Sequence, residues 1–280
     1  MGMQDGFRSY LEERGKSRNT VQAYCRSVDL YIKWYKDTFG QDAERLYRAN
    51  VLDYISYLRT VRKLSNPSIN LTLAALQSLN DCLVESEVQG ELVIGKTDYL
   101  KVQHAYASPS TVSAEQVEAF RQRVLVGQGK RDYAIVTVLA YAGLRISEAL
   151  ALEMTDVDLV SRELLVRSGK GDKSRVVFVG DKIVNAVKEY LRERPETESP
   201  YLFLSRKGDR LSRSQVNRIF NTYSDHITPH TLRHFFCSAA IDAGYSINEV
   251  ANQAGHANIH TTLLYTNPTR EKMKEKANRL

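Results

Sequence analysis

Three stripes of apolar residues at helical spacing mark the first 90 or so residues of the chain. The first stripe lies between Val21 and Tyr35 and the second between Val51 and Leu58, with apolar positions three or four residues apart. The third begins at Asn66, where the sequence "NPS" places a proline in a first helical turn. The pattern predicts an all-helical region.

From about residue 111 the pattern predicts a mixture of helices and two short strands. Apolar runs at 164–167 and 175–179 flank "SGKGDKS", which is typical of a β-hairpin turn. Gly143 is expected to end one helix, and "LRISEALAL" is expected to resume another. Further helices are predicted at 113–126, 131–142 and 181–194, and after start signals at Ser212, Thr228 and Ser246, the last ending at Gly255.

The stretch between these two regions contains Gly, Pro and Ser but no sustained periodicity. We therefore expect a helical domain at 1–90, an interdomain linker at 91–110 and a mixed domain at 111–280. The expected fold class is mainly α with a small antiparallel β-sheet, in two domains.

Composition and charge narrow the possible partners. The net charge of +6 and the pI of about 9.1 favour a polyanion. The longest uncharged apolar run, 133–144, is too short to cross a bilayer, and no signal peptide is recognisable. We expect no membrane partner and a cytoplasmic location. The cysteines, Cys25, Cys82 and Cys237, lack metal-ligand spacing and are interpreted as reduced core residues.

Two short stretches combine positive charge with predicted helix starts. In "TPHTLRHFF", His230 and Arg233 share a helix face near exposed backbone N–H groups, which favour an anion. The alternative is that His230 only caps the helix and that Arg233 is solvated. In "GLRISEAL", Arg145 and Glu148 could equally form a surface ion pair. Lys170, in the hairpin turn, could equally be a solvated lysine.

The combination of these stretches with "GHANIHTTLLYT" resembles the tyrosine recombinase family, which includes phage-type integrases and Xer-like proteins. The resemblance covers essentially the whole chain and rests on the order and spacing of six residues. They are Arg145, Lys170, His230, Arg233, His256 and Tyr265. The compact N-terminus resembles the forms without an arm-binding domain, including transposon-encoded recombinases. The resemblance implies a SAM-like core-binding domain and a catalytic domain that together close around DNA.

The chemistry of strand cleavage needs the residue types at these positions. Negative charge grows on the non-bridging phosphate oxygens, and Arg145 and Arg233 can each donate two hydrogen bonds to it. No carboxylate cluster suggests a metal site, and neither a metal nor a cofactor is expected. The resemblance implies that Tyr265 attacks phosphorus to form a 3′-phosphotyrosine, that Lys170 protonates the leaving 5′-oxygen, and that His230 is an acid or base.

Three further histidines and one carboxylate receive smaller roles. His256 is expected, by the resemblance, to donate a hydrogen bond to a non-bridging oxygen. Glu148 is expected to hold a nearby basic side chain. His234 and His260 are interpreted as structural residues.

The expected partner is double-stranded DNA with inverted binding elements. A thin apolar stripe in the tail, at about 269–280, is interpreted as a helix that docks into a neighbouring subunit of a tetramer on two DNA sites. The tail could also fold back on its own domain. The sequence leaves open whether accessory DNA-bending proteins are needed, and whether the task is integration, excision or resolution. A type IB-like topoisomerase and a catalytically silent DNA-binding regulator are the alternative functions.

Overall fold

A computed structural model describes residues 6–102, 112–167, 174–256, 262 and 278 of the chain. The chain separates into two compact units, Met1–His104 and Ala105–Leu280. Helices dominate both units, and the described strands form one three-stranded antiparallel sheet. The expected fold class is therefore confirmed.

The described residues of the first unit form four α-helices that bury the predicted apolar stripes. The helices are α1 (Phe7–Glu13), α2 (Arg18–Phe39), α3 (Arg48–Thr60) and α4 (Asn66–Glu85). Tyr31 is fully buried, and its ring lies edge-on to Tyr54 of α3 with the centroids 5.1 Å apart. Trp34 packs between the same helices, 4.8 Å from the Tyr54 ring. Aromatic contacts thus join α2 to α3.

The segment after α4 belongs to this helical unit. Val93 and Ile94 are buried in its core, and Arg48 donates two 2.6 Å hydrogen bonds to the carboxylate of Asp98. Asn70 bonds both the N–H and the carbonyl of Leu100. The sequence predicted that the linker begins at residue 91. In the structure, side chains of the helices hold the backbone as far as residue 101 through hydrogen bonds. Such bonds produce no periodic pattern in the sequence. Residues 103–110 of the predicted linker lie outside the described residues.

The second unit contains seven helices and three strands among its described residues. They are α5 (Ala114–Gln128), α6 (Lys130–Tyr141), α7 (Ile146–Ala149), β1 (Val157–Asp158), β2 (Glu163–Val166), β3 (Arg175–Phe178), α8 (Asp181–Leu191), α9 (Arg213–Tyr223), α10 (Pro229–Asp242) and α11 (Ile247–Ala254). Ser212, Thr228 and Ser246 each accept a hydrogen bond from the third residue after them, as predicted from their capping signals.

Two elements differ from expectation. The helix predicted over "LRISEALAL" has a single turn, α7, because the carbonyls that follow it bond elsewhere. Arg210 Nε donates to Leu150 O at 2.9 Å, and Leu202 N donates to Leu152 O at 2.8 Å. Strand β1 has only two residues, too few for an alternating pattern to indicate it.

Helix α6 is the centre of the second unit. Every residue from 134 to 140 is buried, and α5, α8 and α10 pack around it. Strands β2 and β3 pair antiparallel with Leu165 opposite Val176, so the predicted hairpin strands are confirmed. This arrangement brings the end of α6 against α10. No helix among the described residues is long and apolar enough to cross a membrane.

Candidate active site

Four of the six residues that the sequence singled out line one cleft of the second unit. Arg145, His230, Arg233 and His256 surround a space of about 610 Å³. They come from the start of α7, from α10 and from the residues after α11, so elements far apart in sequence converge here. The other two, Lys170 and Tyr265, lie outside the described residues, as do His260 and, apart from residue 278, the tail helix predicted at 269–280.

The turn after α6 holds Arg233 in place. Arg233 Nη1 donates to Gly143 O at 2.6 Å, and the arginine side chain is largely buried. Gly143 has φ of 65°, and a Cβ there would lie 2.3 Å from the ring of Phe236 on α10. Glycine is therefore required for α10 to approach this turn closely enough for the hydrogen bond.

Burial and neighbouring positive charge lower the pKa of Arg233 to about 10. Burial lowers this pKa most, and the positive charge of Arg145 lowers it further. The Arg233 guanidinium is thus a cation in a site that is largely shielded from solvent and already contains positive charge. An anion that enters the cleft relieves this cost.

The carboxylate of Glu148 accepts hydrogen bonds from Arg145 and remains ionised. Arg145 donates its backbone N–H and its Nη1 to the two carboxylate oxygens, each at 2.8 Å. Burial by itself raises the pKa of Glu148, but hydrogen bonds from Arg175 and from the backbone of Arg145 outweigh it, so the pKa is lowered. The expected role of Glu148 agrees with these contacts, and its carboxylate holds two arginines.

Arg175 is the second arginine on this carboxylate, and the sequence reading gave it no role. It lies on β3 and contacts both Glu148 oxygens, at 2.9 and 3.3 Å. It also donates to the carbonyls of Gln253 and Ala254 at the end of α11, each at 3.2 Å. Its place in "SGKGDKSR", directly after the hairpin turn, was the only signal available.

Gly255 ends α11 in the left-handed region, with φ of 70°. A Cβ at this position would lie 2.5 Å from the guanidinium carbon of Arg175. Its carbonyl accepts a 2.8 Å hydrogen bond from Arg145 Nη2. The glycine before His256 is therefore needed both for the helix end and for the approach of Arg175.

His230 and His234 form a pair one helical turn apart on α10. Their Nε2 atoms lie 2.7 Å from each other, and the rings meet edge-on. Burial, followed by the charge of Arg233, lowers the pKa of His230, and burial together with His230 lowers the pKa of His234 to about 4. Both rings are thus neutral at pH 7. His234, interpreted from sequence as structural, is in direct contact with a predicted site residue.

His256 contacts a buried threonine that the sequence analysis did not single out. Its Nδ1 lies 2.8 Å from Thr262 Oγ1, and Thr262 is fully buried. Burial and then the charge of Arg233 lower the pKa of His256 to about 4. The ring is neutral at pH 7, so one of its nitrogens carries a proton that it can donate.

Comparisons of the whole chain decide the family. A sequence model of the phage integrase family matches residues 111–272, and one of the phage integrase N-terminal SAM-like domain matches residues 3–89. The chain is 50% identical to the TnP I resolvase of Bacillus thuringiensis, with 96% of each chain covered. It is 33% identical to the tyrosine recombinase XerA of Thermococcus kodakarensis, covering 96% of this chain and 92% of that one.

The chain is a tyrosine recombinase of the phage integrase family. As such it is a site-specific recombinase, which breaks and rejoins DNA strands through a covalent phosphotyrosine. The expectation drawn from the six residues and their spacing is confirmed at the level of family and reaction.

Solved structures of other recombinases share the fold. An integrase of transposon Tn1549 in complex with transposon right end DNA has a TM-score of 0.74 at 19% identity, covering 100% of this chain and 99% of that one. A lambda integrase fragment bound to a core site also has a TM-score of 0.74, at 13% identity, with 96% and 95% of the two chains covered.

One face of α9 lines the recombinase cleft beside the arginines and histidines. Arg213, Asn217 and Asn221 are spaced four residues apart and therefore lie on the same side of the helix. No group of three or more His, Cys, Asp or Glu side chains that could hold a metal occurs within the described part of the chain. The charged lining that the structure describes is cationic, which suits a phosphate backbone.

Proposed function

We propose that this recombinase is a resolvase. Such an enzyme splits one DNA molecule that carries two copies of its target site into two molecules. The support is the 50% identity to the TnP I resolvase over 96% of each chain. We further propose that it acts in the cytoplasm, where it meets double-stranded DNA. The observation that carries the catalytic part of the proposal is the convergence of two arginines and two histidines on one cleft.

The two cleft arginines would neutralise the scissile phosphate. Hydrogen bonds to described residues use two of the five side-chain N–H groups of Arg145, so others are available to a non-bridging oxygen. Arg233, held on Gly143 O, would meet the same phosphate. Fixed cations of this kind lower the barrier because they need no reorganisation as charge develops.

Tyr265 would supply the nucleophile. Its oxygen forms a bond to phosphorus while the bond from phosphorus to the 5′-oxygen breaks, leaving a 3′-phosphotyrosine and a free 5′-hydroxyl. His230 would take the tyrosine proton, and Lys170 would give a proton to the 5′-oxygen. Attack by the 5′-hydroxyl of a partner strand reverses these steps and completes strand exchange.

His256 would donate one hydrogen bond to the phosphate. A Thr262 hydroxyl that donates to Nδ1 leaves the ring proton on Nε2, the nitrogen that would then be the donor. Because Thr262 precedes Tyr265 by three residues, the same contact would anchor the segment that carries the nucleophile.

DNA binding would use both units on one duplex. The α9 face offers Arg213, Asn217 and Asn221, side chains of the types that bond the edges of guanine and adenine. We propose that these residues contact DNA next to the cleaved phosphate. Substituting Arg213 with alanine should relax the sequence preference at one position.

Assembly would be a tetramer on two DNA sites, linked by exchange of the C-terminal tail. Deletion of residues 270–280 should then leave binding of one protomer to DNA intact and abolish recombination between two sites. A truncated chain that recombines at the full rate would contradict the exchange of tails.

A denaturing gel tests the reaction directly. The chain and its Tyr265→Phe variant are incubated with nicked duplex DNA from the region flanking the gene, in EDTA. An adduct with the unaltered chain alone is expected. Tight binding without an adduct would favour a silent regulator, and relaxation of supercoils without paired sites would favour a topoisomerase.

A further inference from the structure

Arg175 is more completely engaged by the protein than the other arginine on Glu148. Its Nη1 and Nη2 contact the two carboxylate oxygens, its Nε donates to Gln253 O, and its Nη2 also donates to Ala254 O. Its side chain is 15% exposed, against 38% for Arg145. Among the described residues that line the cleft, Arg145 is present and Arg175 is not. Arg175 therefore has few N–H groups left for a substrate.

The contacts of Arg175 join two parts of the site that are distant in sequence. Glu148 binds Arg145 on one side. The carbonyls of Gln253 and Ala254 lie on the other side, directly before Gly255 and His256. One planar guanidinium thus connects the support of Arg145 to the helix end that carries His256.

We infer that Arg175 is a positioning residue, which sets the placement of Arg145 relative to His256 by holding Glu148 against the end of α11. This inference rests on the proposed function in one respect, namely that Arg145 and His256 bind the scissile phosphate. Arg175 itself contacts neither the DNA nor the reacting atoms. The requirement for glycine at position 255 follows from the same contact, because a side chain there would displace the guanidinium.

Lysine cannot replace Arg175 in this role. Its single ammonium group can keep the charge near Glu148, but it lacks the planar fork that reaches both carboxylate oxygens and two carbonyls together. A shift of about 1 Å between reacting groups can cost on the order of 10²-fold in rate. Arg175→Lys should therefore slow cleavage by about 10²-fold, while binding of the duplex is unchanged.

Arg167 provides a matched control at the other end of the same hairpin. It follows β2 as Arg175 begins β3, and it pairs with a carboxylate that is also buried, that of Asp156. Its partners are Thr155, Glu153 and Asp156, and they include neither Glu148 nor the end of α11. Arg167→Lys should leave the cleavage rate within about twofold of the original.

The first measurement is the rate of adduct formation by the full chain on the nicked flanking duplex, at saturating protein. A second duplex carries sulfur in place of the bridging 5′-oxygen at the cleaved phosphate. A thiolate needs no proton to leave, since a thiol has a pKa of about 8.5. If Arg175 acts on the phosphate ligands, the sulfur duplex does not restore the rate of Arg175→Lys. Restoration would assign the defect to protonation of the leaving group and overturn the inference, as would an unchanged rate on the ordinary duplex.

Hydrogen exchange on the DNA-free chain tests the positioning independently of catalysis. The amide of Arg145 donates to Glu148, and the amide of His256 donates to Ala251 O. Both should exchange faster in Arg175→Lys and not in Arg167→Lys. Unchanged exchange overturns the inference even if no DNA is cleaved. Absence of any adduct with the unaltered chain, together with faster exchange in the variant, contradicts the proposed function alone.

A double variant separates positioning from simple unfolding. If Arg175→Lys lowers the thermal midpoint of the whole chain, Arg175→Gln combined with Glu148→Gln also removes the buried carboxylate charge. The double variant should regain the thermal midpoint but keep the fast exchange at His256. Recovery of normal exchange there would overturn the inference.

Discussion

Two groups of cationic side chains, one behind the cleft of the catalytic unit and one at the end of α3 in the helical unit, are held in different ways. In the catalytic unit, Arg175 and Arg233 are mostly buried, and their guanidinium groups bond a carboxylate or backbone carbonyls. At the end of α3 in the helical unit, Arg59, Arg62 and Lys63 have exposed side chains. Arg175 and Arg233 therefore lose their side-chain freedom when the chain folds, before any DNA binds.

The difference indicates two uses of positive charge. Stabilising a transition state requires cations whose positions are already set, because any reorganisation during the reaction adds to the barrier. Attraction to a DNA backbone requires only charge near phosphates, through release of counterions, and flexible side chains are sufficient for it. Substitutions in the two units should therefore change different measured quantities.

The largest effect is expected at Arg233. Arg233→Lys keeps a positive charge but loses the bond geometry that Gly143 O imposes, so cleavage should fall by about 10³-fold or more, whereas the apparent Kd for the duplex should change little. Adduct formation under single-turnover conditions measures the cleavage rate, and Tyr265→Phe is the inactive reference. Near-normal cleavage by Arg233→Lys would mean that charge alone is sufficient in this unit too.

A smaller effect is expected at Thr262. Thr262→Val removes the hydroxyl that contacts His256 Nδ1 and nearly preserves the volume, so the loss of one hydrogen bond should slow cleavage by about tenfold. Thr222→Val, which removes an exposed hydroxyl from α9, is the control. Equal rates for both variants would show that Thr262 does not orient the imidazole.

The helical unit should respond in affinity and not in rate. Changing Arg59, Arg62 and Lys63 together to glutamine should weaken DNA binding and reduce the slope of log K against log salt by about 2.7, if each contacts one phosphate. The cleavage rate at saturating protein should stay the same. A lower rate at saturation would remove the distinction between the two units.

The last effect is a pH dependence of stability in the catalytic unit. Five of the six histidines of the chain belong to the catalytic unit, and the sixth, His104, is the last residue of the helical unit. The pKa of His234 and that of His256 are both lowered to about 4, from an ordinary value of 6.5. The unfolded state therefore takes up protons from about pH 6.5 downwards and the folded state only near pH 4, so stability is lost as the pH falls between these values.

Hydrogen exchange of the intact chain at pH 7 and pH 5 can follow the two units separately. After correction for the intrinsic pH dependence of exchange, protection in α10 and α11 should decrease at pH 5. Protection in α2 and α4 should not. Equal losses in both units would mean that groups other than these histidines control the response.

The sequence was most informative where a local signal has a local cause. Capping residues such as Ser212 and Thr228 determine helix starts through bonds within three residues, and these starts were predicted correctly. The single turn of α7 was missed because Arg210, far along the chain, bonds the carbonyl of Leu150. The packing of residues 91–101 on the helical unit was missed because hydrogen bonds to Asn70, Arg48 and Asn66 have no period.

The same reasoning applies to the site. Arg145, His230, Arg233 and His256 could be selected because their types and order resemble a family pattern, and the structure places all four on one cleft. Arg175 and Thr262 could not be selected, because their roles depend on partners that only the folded chain brings near. An arginine after a hairpin and a threonine in an apolar segment are common in any protein.

The bond from Arg145 to the carbonyl of Gly255 spans 110 residues and bears on how the protein is made. A ribosome releases Arg145 and Glu148 long before residues 253–255 are synthesised, and Arg175 also lacks its carbonyl partners until then. A chain that is still being translated can therefore have folded its helical unit and most of the core of its second unit while the phosphate ligands are not yet ordered. A nascent chain that already binds DNA is thus expected not to nick it until residues 253–256 have left the ribosome.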